Sequence, residues 1–289
     1  MSRLALGSVQ FGLSYGIANQ NGQVSSLNIK KMLHLAKAQG IDTIDTAIDY
    51  GESEASLGEV GVHGFKLVTK LPTVPNDCVN VNEWIHEQIK QSLIRLGVSS
   101  VYGLLLHRSE ELVGKHGKEI YKTLQDLKDL GQVEKVGVSI YSPSELDVLA
   151  LKYKLDLVQA PFNLVDRRLQ TSGWLNRLKN EGTEIHTRSA FLQGLLLMSR
   201  AAVPEKFMPW SEIWNKWQEW LTSEQISAIQ ACLDFPLAFP EIDRIVVGAE
   251  NVAQLEQIIK AEVSSSQVEF PNLSCEEENL INPSQWSRL

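Results

Sequence analysis

The chain has 289 residues, 43% of them hydrophobic and 21% charged, with 19 glycines and 10 prolines. That balance belongs to a globular protein with a buried core and excludes disordered and collagen-like chains. A formal net charge of −8 and three widely spaced cysteines, Cys78, Cys232 and Cys275, argue against general binding to nucleic acid or anionic membrane, a disulfide framework or a paired-cysteine zinc site. No apolar run approaches the roughly 18 residues that a membrane helix needs, and the stretch between Arg3 and the first glycines is too short for a secretory signal. A cytoplasmic protein is expected.

Taken in chain order, the first element is a β-strand over 4–8 (LALGS). SLNIKKMLHLAKAQG follows as an amphipathic helix, with Ile29, Met32, Leu33 and Ala36 on one face and Gly40 as its stop. Strands are predicted at 41–47 (IDTIDTA) and 65–70 (FKLVTK). The helix VNEWIHEQIKQSLIRLG comes next, turning Trp84, Ile85, Ile89, Leu93 and Leu96 inward and stopping at Gly97. Five more strands are predicted at 101–107, 133–139, 155–160, 183–189 and 243–249. Apolar strands separated by single helices imply a parallel sheet with right-handed crossovers. About eight such units without a linker favour an α/β fold of the (β/α)8 TIM-barrel type, a single domain over 1–289. An open dinucleotide-binding sheet would carry G-x-G-x-x-G after its first strand, but Gly7, Gly12 and Gly16 have other spacings and read as turn glycines. Between the last two strands, Trp210, Trp214, Trp217 and Trp220 recur every three or four residues. They suit a helix packing an aromatic face on the barrel, or an insertion in which Trp210 or Trp214 overhangs a pocket at the carboxyl face.

Reacting groups in such a barrel sit where strands end at the carboxyl face. Asp45 ends the second strand, with Tyr50 in the loop behind it; Lys70 ends the third and His107 the fourth. Singly, Asp45 reads as a cap, Lys70 as a solvated strand end and His107 as a satisfied core histidine. Together they converge, because neighbouring strands lie about 4.8 Å apart. An ammonium beside a phenol favours phenolate and lowers the tyrosine pKa, desolvation lowers that of the lysine, and Asp45 holds Lys70 by a charge-assisted hydrogen bond. The expected chemistry is proton transfer by Tyr50, with His107 donating to a carbonyl oxygen.

The strings DTAxxYGxSE (Asp45 to Glu54), TK at Thr69 and Lys70, LLLHR ending at Arg108, GVSxYSPSEL at 137–146, VQAPFN at 158–163 and VVGAEN at 246–251 resemble the aldo-keto reductases and occur in family order. The resemblance implies a barrel that binds an extended nicotinamide dinucleotide and reduces an aldehyde or ketone. Tyr50 is then the general acid, Asp45 and Lys70 tune it, and His107 orients the carbonyl. It further implies that Ser139 and Gln159 hold the nicotinamide carboxamide, with Gly7 and Ser8 lining the same region. Ile140 stands where many members have an asparagine for that contact. Arg188 replaces an aromatic that stacks on the nicotinamide, and either stacks in its place or binds a substrate anion. Ser189, Leu192, Gln193 and Gly194 match the loop around the pyrophosphate, and Gly248, Ala249, Asn251 and Gln254 the adenosine-phosphate segment. NADP is the cofactor the resemblance implies, with NAD the alternative, since Glu250 would repel a 2′-phosphate. QFGLSYGIAN and RSAFLQGLLL also resemble members associated with bacterial surface-sugar biosynthesis, which implies a sugar-like substrate, and Phe11, Tyr15, Arg108 and Arg188 suit a sugar or an acidic carbonyl compound.

Two rival readings stand beside this one. Lys70 in a Schiff-base aldolase-like barrel needs no dinucleotide. A non-enzymatic nucleotide-binding regulator would not need the set Asp45, Tyr50, Lys70 and His107. No metal is expected, because no HxH or HExxH occurs and His34, His63, His86, His116 and His186 lack ligand spacing.

Overall fold

The computed structural model describes residues 2–19, 21–264 and 268–289. Eight strands, β1 (Leu4–Gly7), β2 (Thr43–Asp45), β3 (Lys66–Leu71), β4 (Val101–Leu106), β5 (Val133–Ser139), β6 (Leu157–Pro161), β7 (Glu184–Arg188) and β8 (Arg244–Gly248), pair in parallel and in sequence order. β8 pairs back onto β1 through Leu4 with Ile245 and Gly7 with Gly248, which closes the barrel. Helices return the chain after each strand: α1 (Ser26–Ala38), α2 (Ser53–Val60), α3 (Val81–Leu96), α4 (Gly117–Asp129), α5 (Ser144–Leu149), α6 (Trp174–Asn180), α7 (Ser211–Glu224), α8 (Ala228–Leu237) and α9 (Val252–Val263). This is the (β/α)8 architecture expected from the alternation of elements. Among the described residues no helix is long and apolar enough to cross a membrane.

Local chemistry explains the helix limits. The Asn80 side chain accepts from the Glu83 amide at 3.1 Å and opens α3, while Gly97, at φ 67°, turns the chain out of it. Ile85, Ile89, Leu93 and Leu96 bury the inner face of α3, and Ile29, Met32, Leu33 and Ala36 that of α1. Burying such side chains contributes roughly 1.5–3 kcal/mol each before the entropy of ordering is subtracted.

Inside the barrel the two-residue period of a strand sorts side chains into layers. Val68, Leu105 and Leu157 form a small buried cluster of their own, distinct from the large shell between sheet and helices. Two residues further along the same strands come Lys70, His107 and Gln159. The same step leads from Thr43 to Asp45, from Gly137 to Ser139 and from His186 to Arg188. An apolar floor therefore lies under a polar layer at the carboxyl end, and the period of two sets which polar residues face one another. At the opposite end, Glu184 accepts from Tyr102 at 2.6 Å and from Lys135, and lies 2.7 Å from the fully buried ring of His186.

The tryptophan-rich segment forms α7 after β7. Trp214 and Trp217 are each 1% exposed and donate their indole N–H groups to the Phe207 and Leu196 carbonyls at 2.8 and 2.9 Å. None of the four tryptophans lines the cavity described below, so the overhang of Trp210 or Trp214 is corrected in favour of packing. The amphipathic period turns the rings onto the barrel, and through Leu196 they brace the loop after β7.

Candidate active site

Asp45, Lys70 and His107 meet where β2, β3 and β4 end. Lys70 is 1% exposed, and its ammonium donates to both Asp45 carboxylate oxygens, at 2.8 and 2.7 Å, and to the Thr46 carbonyl at 2.8 Å. Asp45 also accepts from Gln159 at 2.6 Å. Its backbone carbonyl accepts from the Ser8 amide and hydroxyl at 2.9 and 3.0 Å. Tyr50 follows on a tight turn in which its amide donates to Ala47 and its carbonyl accepts from Ser53. Gly12 lets that turn pass close by, since a β-carbon there would stand 1.8 Å from the Tyr50 carbonyl oxygen. The Lys70 nitrogen lies 5.1 Å from the Tyr50 ring centre, and the His107 ring meets the Tyr50 ring edge-on at 5.9 Å.

Electrostatics follow from this packing. Burial is the larger cause and Asp45 the second in pushing the Tyr50 phenol well above its ordinary value, against an opposing pull from Arg188. The expectation of a lowered tyrosine pKa is therefore corrected: the Lys70 charge is directed at Asp45, and desolvation outweighs what reaches the phenol. Burial lowers the Lys70 ammonium, as expected, with Asp45 opposing. His107 is pulled down to about 4, first by burial and then by the charges of Lys70, Arg188 and Arg108. Near neutral pH the site thus holds a protonated phenol and a neutral imidazole beside the hydrogen-bonded Asp45–Lys70 pair.

These groups open into a cavity of about 560 Å³, within the usual size range of small-molecule and cofactor sites. The structure places Asp45, Tyr50, Lys70 and His107 on its wall, together with Gly7, Ser8, Ser139, Gln159, Arg188, Ser189, Gln193, Gly194, Gly248, Ala249 and Gln254. Leu192 and Asn251 do not line it. Leu192 is fully buried beneath its loop, and the Asn251 side chain caps α9 by accepting from the Gln254 amide at 2.9 Å. Ser189, Leu192 and Gln193 take φ of 64, 46 and 52°, and Gly194 takes 90°. Three non-glycine residues in the left-handed region is a strain that concentrates at functional loops.

Sequence reasoning missed Gln10 and Tyr141 as wall residues. The side-chain amide oxygen of Gln10 is buried without a partner, and a β-carbon at Gly248 would lie 2.8 Å from the side-chain amide nitrogen of Gln10. The Gln10 side chain covers Gly248, and its orphaned oxygen on the wall fits a polar ligand in a cavity that runs from Asp45 and Tyr50 to the end of β8. The signals available were the short Gly7–Gln10 spacing and the place of Tyr141 two residues after Ser139.

A closed parallel barrel thus carries a buried Asp–Lys pair, a tyrosine and a histidine at its carboxyl mouth. The aldo/keto reductase family model matches residues 3–272, and the chain belongs to that family. It is therefore an oxidoreductase acting on carbonyl groups. Among curated relatives, an uncharacterized oxidoreductase of Bacillus subtilis (strain 168) is 24% identical over 242 residues, covering 77% of this chain and 78% of the relative. An L-glyceraldehyde 3-phosphate reductase of Escherichia coli O157:H7 is 24% identical over 289 residues, covering 86% and 83%. Among solved structures, a holo-form aldo-keto reductase from Bacillus halodurans superposes with a TM-score of 0.73 at 19% identity, covering 93% of this chain and 88% of that one. A glycerol dehydrogenase from Gluconobacter oxydans gives 0.71 at 22%, with the same coverages. The structural likenesses support the barrel fold.

Proposed function

We propose that this protein reduces an aldehyde or ketone of polar, sugar-like character to the alcohol, with Tyr50 giving the proton. The observation that carries the reading is the convergence of Asp45, Tyr50, Lys70 and His107 at the mouth of a cavity that continues to Glu250 and Gln254. When bound there, a nicotinamide dinucleotide supplies hydride to the carbonyl carbon. His107, neutral at working pH, donates a hydrogen bond to the carbonyl oxygen and orients it. Tyr50 passes its phenolic proton to the same oxygen, and Lys70, held by Asp45, keeps positive charge beside the phenolate that remains.

Ser139 and Gln159 would hold the carboxamide; the Gln159 amide nitrogen is committed to Asp45, leaving its oxygen as the acceptor. Gly7 and Ser8 flank that end. Ser189, Gln193 and Gly194 would border the pyrophosphate, with Leu192 shaping their loop from beneath. Gly248, Ala249 and Gln254 would meet the adenosine phosphates, with Asn251 acting through the start of α9.

Family resemblance implies NADP. A second reading, NADH, is favoured by Glu250, whose carboxylate accepts from Asn21 at 3.0 Å on the cavity wall where a 2′-phosphate would need a cation. The Schiff-base alternative is disfavoured because the Lys70 nitrogen is engaged by three oxygens, which holds it as ammonium rather than as a free amine. The name of the Escherichia coli relative supports a short sugar-like aldehyde.

The test is Tyr50→Phe, assayed on a panel of aldehydes. Turnover should fall about 10²–10⁴-fold with dinucleotide binding retained. Undiminished turnover would contradict the role of Tyr50, and activity confined to hydrophobic aldehydes would contradict the sugar-like substrate.

A further inference from the structure

Arg188 ends β7 in the inward ladder that begins at His186, so it reaches the polar layer beside Ser139 and Gln159. It is half-buried and lines the cavity. One of its terminal nitrogens donates to the Ile140 carbonyl at 3.0 Å, and the other lies 3.4 Å from the Ser189 hydroxyl. Its guanidinium carbon sits 4.8 Å from the centre of the Tyr141 ring. The guanidinium carbon of Arg108, at the end of β4 next to His107, sits 5.0 Å from the same centre. Two cations thus share one aromatic ring, Arg188 from the cavity wall and Arg108 from an exposed position outside it.

Neither has an acidic partner. Among the described residues no carboxylate comes within 4.0 Å of the exposed Arg108 or the half-buried Arg188; Arg95, Arg168 and Arg244 hold Glu54, Asp166 and Asp42 at 2.7 to 3.0 Å, and the half-buried Arg3 and Arg167 turn to backbone carbonyls, each away from the cavity wall that Arg188 lines. In a chain of net charge −8, with Lys70 paired to Asp45, the Arg188 guanidinium is a cation on the cavity wall without a carboxylate of its own. A guanidinium presents a planar fork of N–H donors, and Arg188 spends only part of its set on neutral acceptors. The free remainder faces the cavity that holds His107 and Tyr50. Both arginines lie close enough to His107 to help lower its pKa, after burial and Lys70.

We propose that Arg188, with the exposed Arg108 outside the cavity wall and Tyr141 between them, forms an anion subsite, so that the substrate is a small carbonyl compound carrying a carboxylate or a phosphate. The inference rests on the reductase reading and narrows it: the anion docks on Arg188 while the carbonyl oxygen lies between His107 and Tyr50. A charge-assisted fork to an anion in a partly desolvated site is worth about ten- to a hundredfold in discrimination against a neutral analogue.

The experiment compares matched pairs, glyceraldehyde with glyceraldehyde 3-phosphate and butanal with succinic semialdehyde, in the wild type, Arg188→Leu and Arg108→Leu. The readout is the ratio of kcat/KM for the anionic over the neutral member, with dinucleotide affinity measured on each protein by fluorescence. Inorganic phosphate and acetate are tested as inhibitors competitive with the carbonyl compound. The expected result is a wild-type ratio of about thirty or more in at least one pair, reduced by about tenfold or more in Arg188→Leu and less in Arg108→Leu. The pair with the larger ratio, and the better inhibitor, tell phosphate from carboxylate. Turnover of the neutral members with a ratio near one overturns this inference alone. So does an Arg188→Leu protein whose ratio is unchanged while its dinucleotide binding weakens, which would assign the arginine to the cofactor. Absence of both turnover and dinucleotide binding in the wild type overturns the reductase reading, and this inference with it.

Discussion

Replacing Lys70 with methionine should be among the most damaging single changes near the site, and its cost can be worked from the geometry. The side chains of Lys70 and Asp45 are 1% and 5% exposed, and the ammonium makes three hydrogen bonds of 2.7 to 2.8 Å. Lys70→Met leaves the Asp45 carboxylate buried with Gln159 as its remaining side-chain donor and takes the Lys70 donor from the Thr46 carbonyl. Breaking a buried pair from one side costs about 3–5 kcal/mol, whereas removing both charges is far less costly. At about 2 °C per kcal/mol for a chain of this size, the single variant should melt roughly 6–10 °C below the wild type. Asp45→Asn with Lys70→Met should recover most of that loss, giving a coupling energy of about 2 kcal/mol or more in a double-mutant cycle. Urea denaturation with an unchanged slope is the assay for stability, and all three variants should be inactive as reductases. A Lys70→Met protein as stable as the wild type, or a double variant no better than the single, would refute the view that this pair is a buried, mutually compensating unit.

Glu54 is 1% exposed and accepts from Thr69 and Ser92 at 2.7 Å each and from Arg95 at 2.9 and 2.7 Å, tying the turn that carries Tyr50 to β3 and α3. Glu54→Ala should therefore cost about 3–5 kcal/mol in denaturant, with Glu54→Gln losing less. Gly248→Ala should displace the Gln10 side-chain amide, which the new methyl would meet at 2.8 Å, into the cavity and so weaken dinucleotide binding by about tenfold; unchanged affinity in a titration would count against a ligand passing Gln10. His107, held at about 4 against an ordinary 6.5, stays neutral in the folded protein while the unfolded chain takes up a proton. Its contribution to stability is therefore present above pH 6.5 and lost as pH falls toward 4, by about 3 kcal/mol at most, and His107→Gln should flatten that part of the stability profile. Because the Tyr50 phenol is raised, loss of reduction activity on the alkaline side should begin above the ordinary phenol value of about 10.

The barrel was legible because its signal is local and repeated. Every predicted strand overlaps an observed one, and limits such as 155–160 against Leu157–Pro161 moved only by the length of a turn. The convergence of Asp45, Tyr50, Lys70 and His107 was legible for a related reason: a charged residue ending an apolar strand needs partners, and the strand spacing supplies them. What did not follow from sequence depends on distance in three dimensions. The direction of the Tyr50 shift required knowing that Asp45 and the Thr46 carbonyl take all three hydrogen bonds of Lys70, and how deeply the phenol is buried. Leu192 and Asn251 share a loop and a helix start with wall residues, yet one side chain points into the core and the other caps its own helix. The tryptophan spacing announced a helix, but which surface the rings meet depends on the loop they brace. Glu54 sat inside the motif that carries Tyr50, and only its partners on β3 and α3 reveal it as the fixing point of that turn.

The most direct test of the central claim is to titrate the purified protein with NADPH and, separately, with NADH, following the quenching of tryptophan emission. Saturable binding of at least one, retained in Tyr50→Phe, is the expected result, and the tighter of the two decides whether Glu250 excludes the 2′-phosphate. Failure of both to bind to the folded protein would remove the hydride donor and contradict the reductase account.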